Sequence, residues 1–246
     1  MKKQTVAFAM ITALLLTACG GDDKDKDRLP SDPDRDTHRR DDRDYDARRS
    51  YHGDSYVVAN SRNRTDSRDL QTLNSNNLDT LNVDGKRLPS RQIGIVTSGV
   101  PHIKARNGTT VNGVSYKNFL ISGEHYQNSR FGYITRDNTD YIFSQGAPTA
   151  NMPTAGVAKY SGAAAVGRAA VADTALANFS ANFGEKTLKG DIGGEFTAKI
   201  TGNTFATDNS STPFSPDMLE VKGGFYGPAA AEIAGVYYDH EHSAGT

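Results

Sequence analysis

The chain has no tryptophan and a single cysteine in 246 residues. One cysteine excludes an internal disulfide and any multi-cysteine metal site. Its charge has no dominant sign, with 28 basic against 29 acidic residues. That balance gives no electrostatic footprint for a nucleic-acid partner. There is no apolar run long enough to span a bilayer as a mature helix. Phosphate-binding glycine loops, Gly-x-Ser-x-Gly and His-Glu-x-x-His are absent, so the motifs of common hydrolases and nucleotide enzymes are missing. Ser122, Glu124 and His125 lie close in sequence, but on a strand alternate side chains face opposite ways. The expectation is a protein that is not an enzyme.

What is present begins at the N-terminus. Met1-Lys2-Lys3 is a short basic region, and Val6 to Leu16 is an apolar run of leader type. Leu16-Thr17-Ala18-Cys19 follows, with Gly20 after it. This stretch resembles the lipobox of bacterial lipoproteins. The resemblance implies a signal peptide over residues 1–18, cleavage before Cys19 and lipidation of its thiol. It also implies a place in the outer membrane, since Gly20 is not the Asp that retains enteric lipoproteins at the inner membrane. Two or more acyl chains anchor stably where one is marginal.

Residues 19–54 read as a tether. Asp22 to His52 is nearly all Asp, Arg, Lys, Ser and Pro, too poor in apolar groups to offset the entropy of ordering. Asp23 to Asp27 has the spacing of a calcium loop, but Arg28 stands where the loop needs Gly and Asp34 where it needs Glu. His240 and His242 would share a face of a continued last strand, as a metal site would need, but a frayed polar terminus is the better reading.

Folded structure is expected from about residue 55. Over 55–130 the periodicity is weak. Leu70, Leu73, Leu78 and Leu81 do not make one helical stripe and suggest short strands laid over a neighbouring surface. Asn107-Gly108 and Asn112-Gly113 are hairpin dipeptides. From Phe131 onward about eight strands follow with short links. Ala175, Ala177, Phe179, Ala181 and Phe183 alternate with Asn178, Ser180 and Asn182, and Phe196, Ala198 and Ile200 with Thr197, Lys199 and Thr201. Period two gives one buried and one wet face. A closed eight-stranded barrel and a two-sheet sandwich fit this pattern equally.

Three stretches carry a family resemblance. They are YIFSQGAPT (141–149) with MPTAGVAKYSG (152–162), NFGEKTLKG (182–190) and GGFYGPAAAEIAG (223–235). In order, they resemble the opening, a hairpin and the closing signature of the transferrin-binding-protein-B-like barrel of Slam-dependent surface lipoproteins. Factor H binding protein and hemophilin are relatives of this family. The resemblance implies an all-β chain: a small N-terminal β-rich handle domain over 55–130, then a C-terminal eight-stranded antiparallel β-barrel over 131–246. It implies export by machinery of the surface lipoprotein assembly modulator type and capture of a host serum protein, an iron or haem carrier or a complement regulator. Direct haem binding is the alternative, and no other cofactor or metal is expected.

The shared motifs are structural, so ligand residues do not carry over with them. The residues singled out for ligand contact are His102, Lys104, Arg106, His125 and Tyr126, polar groups on the handle's expected loops. Loops on a rigid scaffold commonly carry recognition. Imidazole and phenolate are also the ligands that haem iron would use.

Overall fold

A computed structural model of the chain describes residues 5–11, 50–59, 68–91, 103–168, 171–208 and 219–239. Cys19 and His102 lie outside the described residues, as do His240 and His242. Among the described residues the structure is all β, with one short 3-10 turn.

The strands are β1 (Thr5–Ile11), β2 (Tyr51–Ala59), β3 (Arg68–Ser75), β4 (Thr80–Val83), β5 (Lys86–Pro89) and β6 (Ile103–Val111). Then come β7 (Val114–Ser122), β8 (Ser129–Arg136), β9 (Thr139–Gly146), β10 (Val157–Arg168) and β11 (Val171–Asn182). The chain finishes with β12 (Thr187–Asp191), β13 (Glu195–Thr201), β14 (Thr204–Ala206), β15 (Leu219–Tyr226) and β16 (Glu232–Asp239).

Two sheets dominate. The handle is a six-stranded sheet in the order β3-β2-β9-β8-β7-β6, and the closed barrel runs β1-β10-β11-β12-β13-β14-β15-β16. The barrel wall shows why this sequence makes it. In β13 every second residue is buried: Phe196, Ala198 and Ile200 point in, while Glu195, Thr197, Lys199 and Thr201 point out. In β11 Ala177, Phe179 and Ala181 point in and Asn178 points out. The barrel is filled by its own side chains. Phe225 lies at its centre, with ring centroids 5.7 Å from Phe183, 5.7 Å from Phe205 and 6.3 Å from Tyr160.

The handle sheet has two covered faces. On one, the β4–β5 ribbon buries Leu81 and Leu88 against Leu73, Phe119, Tyr141 and Phe143. This is the overlay of short strands that the leucine spacing suggests. On the other, Tyr56, Tyr126, Tyr133 and Ile142 pack against Ala163, Ala165, Ala234 and Val236 of the barrel wall. Small residues on that wall let the two sheets approach closely. Handle and barrel therefore share a continuous apolar seam.

Several expectations are corrected. Phe131 to Ile134 and Tyr141 to Phe143 belong to β8 and β9 of the handle, not to the barrel. The boundary thus falls in the loop 147–156 rather than at residue 130. The two strands are buried on both faces, unlike the alternating barrel strand β13, and their long-range pairing with β2 and β7 assigns them. Tyr51 to Asp54 belong to β2 rather than to the tether. Asn107-Gly108 lies inside β6, where Gly108 has φ 65°. The true hairpin turn is Asn112-Gly113, with φ 50° and 78°, the left-handed pair of a type I′ turn.

The C-terminal segment supplies seven barrel strands, and the eighth is β1. Thr5–Ile11 pairs antiparallel with Ser161 to Gly167 of β10 and with Glu232 to Tyr238 of β16. In the uncleaved chain these residues fill the gap between β10 and β16. A leader and a barrel strand are both apolar and extended. Two sheet edges with unpaired N–H and C=O groups accept whichever such segment is near.

Candidate binding surface

The handle's outer strand and the β7–β8 loop carry the residues singled out from sequence. Lys104 and Arg106 lie on β6, the edge strand, opposite Ile121 and Phe119 of β7. The β7–β8 loop is a turn closed by the Tyr126 N–H donating to the Gly123 carbonyl at 3.3 Å. Glu124 and His125 stand exposed at its tip.

Tyr126 is placed differently. It is 1% exposed and meets the Phe131 ring edge-on at 5.1 Å. The backbone of Ala163, on the barrel, bonds to its hydroxyl, and burial pushes the phenol's pKa well above the usual tyrosine range. Tyr126 is therefore a seam residue, withdrawn from any ligand that approaches from solvent. Its neighbours Gln127 and His125 are exposed, so polarity along the local sequence gives no sign of its burial.

An ion-pair cluster braces the loop. Arg130 pairs with Asp79 at 3.1 Å and donates to the carbonyls of Tyr126 and of Ser129, the latter at 2.9 Å. Arg91 pairs with the same Asp79 at 3.5 Å and reaches Glu124 at 4.0 Å. Arg91 and Glu124 are mostly exposed, so their pair contributes little stability. The planar Arg130 guanidinium, largely buried, ties the loop to the start of the β4–β5 ribbon.

Sequence reasoning missed Glu232. It opens β16 and is 3% exposed. Its Oε1 accepts hydrogen bonds from the N–H groups of Gln127 and Asn128, both at 2.9 Å, and from Asn128 Nδ2 at 3.0 Å. Its Oε2 accepts one from Ser129 Oγ at 2.6 Å. A lone carboxylate between Ala-rich and strand residues was the available signal, because a buried charge must find donors.

Beside this contact the seam opens into a cleft of about 480 Å³, lined by His52, Asp54, Thr72, Pro148, Lys222 and Tyr226 among others. Asp54 of the handle and Lys222 of the barrel pair across it at 2.7 Å. Among the described residues no three His, Cys, Asp or Glu side chains cluster as a metal site would require. The surface consists of a sheet edge, a braced loop and a shallow seam.

Residues 152–246 match the family model for the C-lobe and N-lobe beta barrels of Tf-binding protein B. An uncharacterized protein of Haemophilus influenzae (strain ATCC 51907 / DSM 11121 / KW20 / Rd) is 24% identical over 208 residues, covering 78% of this chain and 72% of that protein. Transferrin-binding protein B of the same strain is 28% identical over 175 residues, covering 55% of this chain and 28% of that protein. Among solved structures, intact Ap-TbpB with its N and C lobes aligns at TM-score 0.48 and 22% identity, over 76% of this chain and 45% of that one. The isotype 1 protein from serogroup B Neisseria meningitidis aligns at 0.45 and 18%, over 76% and 42%. The chain spans less than half the length of these TbpB chains.

Proposed function

Because its barrel belongs to the family of C-lobe and N-lobe beta barrels of Tf-binding protein B, we propose that this chain is a non-enzymatic, surface-displayed binding protein for a host iron-carrier protein of the transferrin kind. The observation that carries the reading is a family barrel bearing a handle sheet on one wall. That architecture presents an edge strand and a braced loop to solvent. Lys104 and Arg106 on β6, and His125 on the β7–β8 loop, are the proposed contacts, Arg being a favoured anchor at protein interfaces. His102 precedes β6 in sequence and is included in the same proposal.

The anchor is proposed to be lipid on Cys19, with display at the outer-membrane surface after export by a surface lipoprotein assembly modulator. Labelling cells with a fatty-acid analogue should mark the wild type and leave Cys19→Ala unmarked.

The binding test is retention of host transferrin from serum on the immobilised chain. Transferrin retained, and lost on Arg106→Glu with the melting temperature unchanged, supports the reading. Serum in which transferrin passes through overturns it. A Soret band on adding haem, lost in His102→Ala or His125→Ala, would move the assignment to a direct haem binder.

A further inference from the structure

We propose that Glu232 is the positioning residue that sets the β7–β8 loop on the barrel, and that GGFYGPAAAE is a domain-docking device as well as a barrel strand. The ligand half of this inference rests on the function proposed above. The docking half does not.

The residues of the signature hold the linking loop 147–156 and, through it and directly, the β7–β8 loop. Thr149 N–H donates to the Phe225 carbonyl at 2.9 Å, and Thr149 Oγ1 to the Gly227 carbonyl at 2.8 Å. Gly227 N–H donates to the Ala147 carbonyl at 2.9 Å, and Ala147 N–H to the Asn128 carbonyl at 2.8 Å. Gly227 has φ 76°, and a Cβ there would lie 2.6 Å from Asn128 Cγ. Only glycine satisfies both the backbone and the contact. The Tyr226 ring covers Gly146, where a Cβ would lie 2.5 Å from it. Glu232 completes the set with four donors from three successive residues, Gln127, Asn128 and Ser129.

The chemistry favours a carboxylate, whose charge strengthens each of these hydrogen bonds. A carboxylate is acceptor-only and offers about four lone-pair sites, which matches four donors. Glutamine has the same shape and its amide oxygen can take the place of Oε1 with its NH₂ toward the Ser129 hydroxyl, but every hydrogen bond to it then loses the charged acceptor. The loop that Glu232 holds is the one that exposes Glu124 and His125 at its tip and that Arg130 braces from the other side. The carboxylate fixes the base of the loop, so the tip is presented in one orientation. A preorganised loop binds without the cost of ordering on contact.

The experiment uses the full chain as wild type, Glu232→Gln and Glu232→Asp, with Ser129→Ala as a milder variant that removes one donor. Hydrogen exchange is read at the amides of Gln127 and Asn128. Hydrogen bonds to a charged acceptor are roughly twice as strong as neutral ones, so exchange there should quicken about fivefold or more in Glu232→Gln, and less in Ser129→Ala. Amides of β11 to β13 should be unchanged. Immobilised serum transferrin is the binding probe, and its affinity should fall about tenfold in Glu232→Gln with the barrel amides still protected. Unchanged exchange at Gln127 and Asn128 in Glu232→Gln and Ser129→Ala overturns the docking role. Faster exchange with unaltered transferrin affinity overturns the positioning role. Should wild type itself fail to bind transferrin, the function proposed above falls, while the exchange result still decides the docking role.

Discussion

The ring of Tyr133 in the handle lies over Gly167 in the barrel wall, so close that a Cβ on Gly167 would sit 1.9 Å from Tyr133 Cε2. Tyr133 is itself fully buried. The handle therefore docks by pressing an aromatic ring onto bare backbone. Any side chain at residue 167 must push the ring away, and overpacking of this kind costs about 1–3 kcal/mol. Gly167→Val should lower the urea midpoint of the full chain and raise exchange at the seam. Gly184→Ala is the control, since its only near neighbour is Asn182 Oδ1 at 3.6 Å. Equal midpoints for the two variants would contradict this packing.

The register of β11 predicts a sharp contrast between neighbours. Phe179 points into the barrel and meets Phe196 at a centroid distance of 5.8 Å. Asn178, one residue earlier, is exposed and accepts a hydrogen bond from Ser161 Oγ at 2.9 Å. Phe179→Ala should cost about 3–5 kcal/mol. Asn178→Ala should cost far less, because it opens no cavity. Chemical denaturation of the two variants checks this, and the reverse order would mean a shifted register.

Barrel closure by β1 makes a prediction at the level of the backbone. Ala9 pairs with Ala163 on one side and Ala234 on the other. Proline has no N–H and is excluded from central strands. In a Cys19→Ala background, where the leader is retained, Ala9→Pro should lower the melting temperature. Ala13→Pro, outside Thr5–Ile11, should not. Identical melting of the two would show that Thr5–Ile11 does not close the barrel.

How far the sequence reveals this molecule depends on the range of each interaction. Alternation in β11 and β13 is local, and it correctly gives the inward faces of Phe179, Phe183, Phe196 and Ile200. The turn at Asp137-Asn138 is also local, and both residues have positive φ. Pro228 opens a short turn, Pro228–Ala230, but Ala229 and Ala230 are left-handed with φ 51° and 59°, so the helical φ of proline does not account for it. What escapes sequence reading is non-local. Glu232 meets Ser129 across 103 residues of chain, and Tyr126 is buried by Ala163 on another domain. Nothing in the polar stretch from Gly123 to Ser129 signals either contact. The allocation of β8 and β9 to the handle fails for the same reason.

Buried tyrosines predict alkaline instability. Burial is the largest cause that raises the phenols of Tyr126, Tyr160 and Tyr226 above their ordinary value of 10.0, with the Asp54 charge adding to it at Tyr226. Tyr160 also donates its hydroxyl hydrogen bond to the Ala230 carbonyl at 2.9 Å, an interaction that the phenolate would lose. Lys86 is raised as well, chiefly by its hydrogen bond to Tyr141, and titrates in the same direction. A group whose folded pKa is raised binds its proton more tightly in the native state. Its stabilising contribution is complete below the unfolded pKa and is lost as pH rises through the folded one. The urea midpoint should therefore hold from pH 7 to about pH 9.5 and fall above about pH 10, by up to about 1.4 kcal/mol per pH unit for each buried tyrosine. Absorbance at 295 nm should show these phenols ionising together with unfolding rather than before it. Tyr160→Phe removes one titrating group, so its midpoint should fall less steeply above pH 10 than that of wild type. A midpoint that stays level through pH 11, or parallel slopes for the two proteins, would contradict the burial of these hydroxyls.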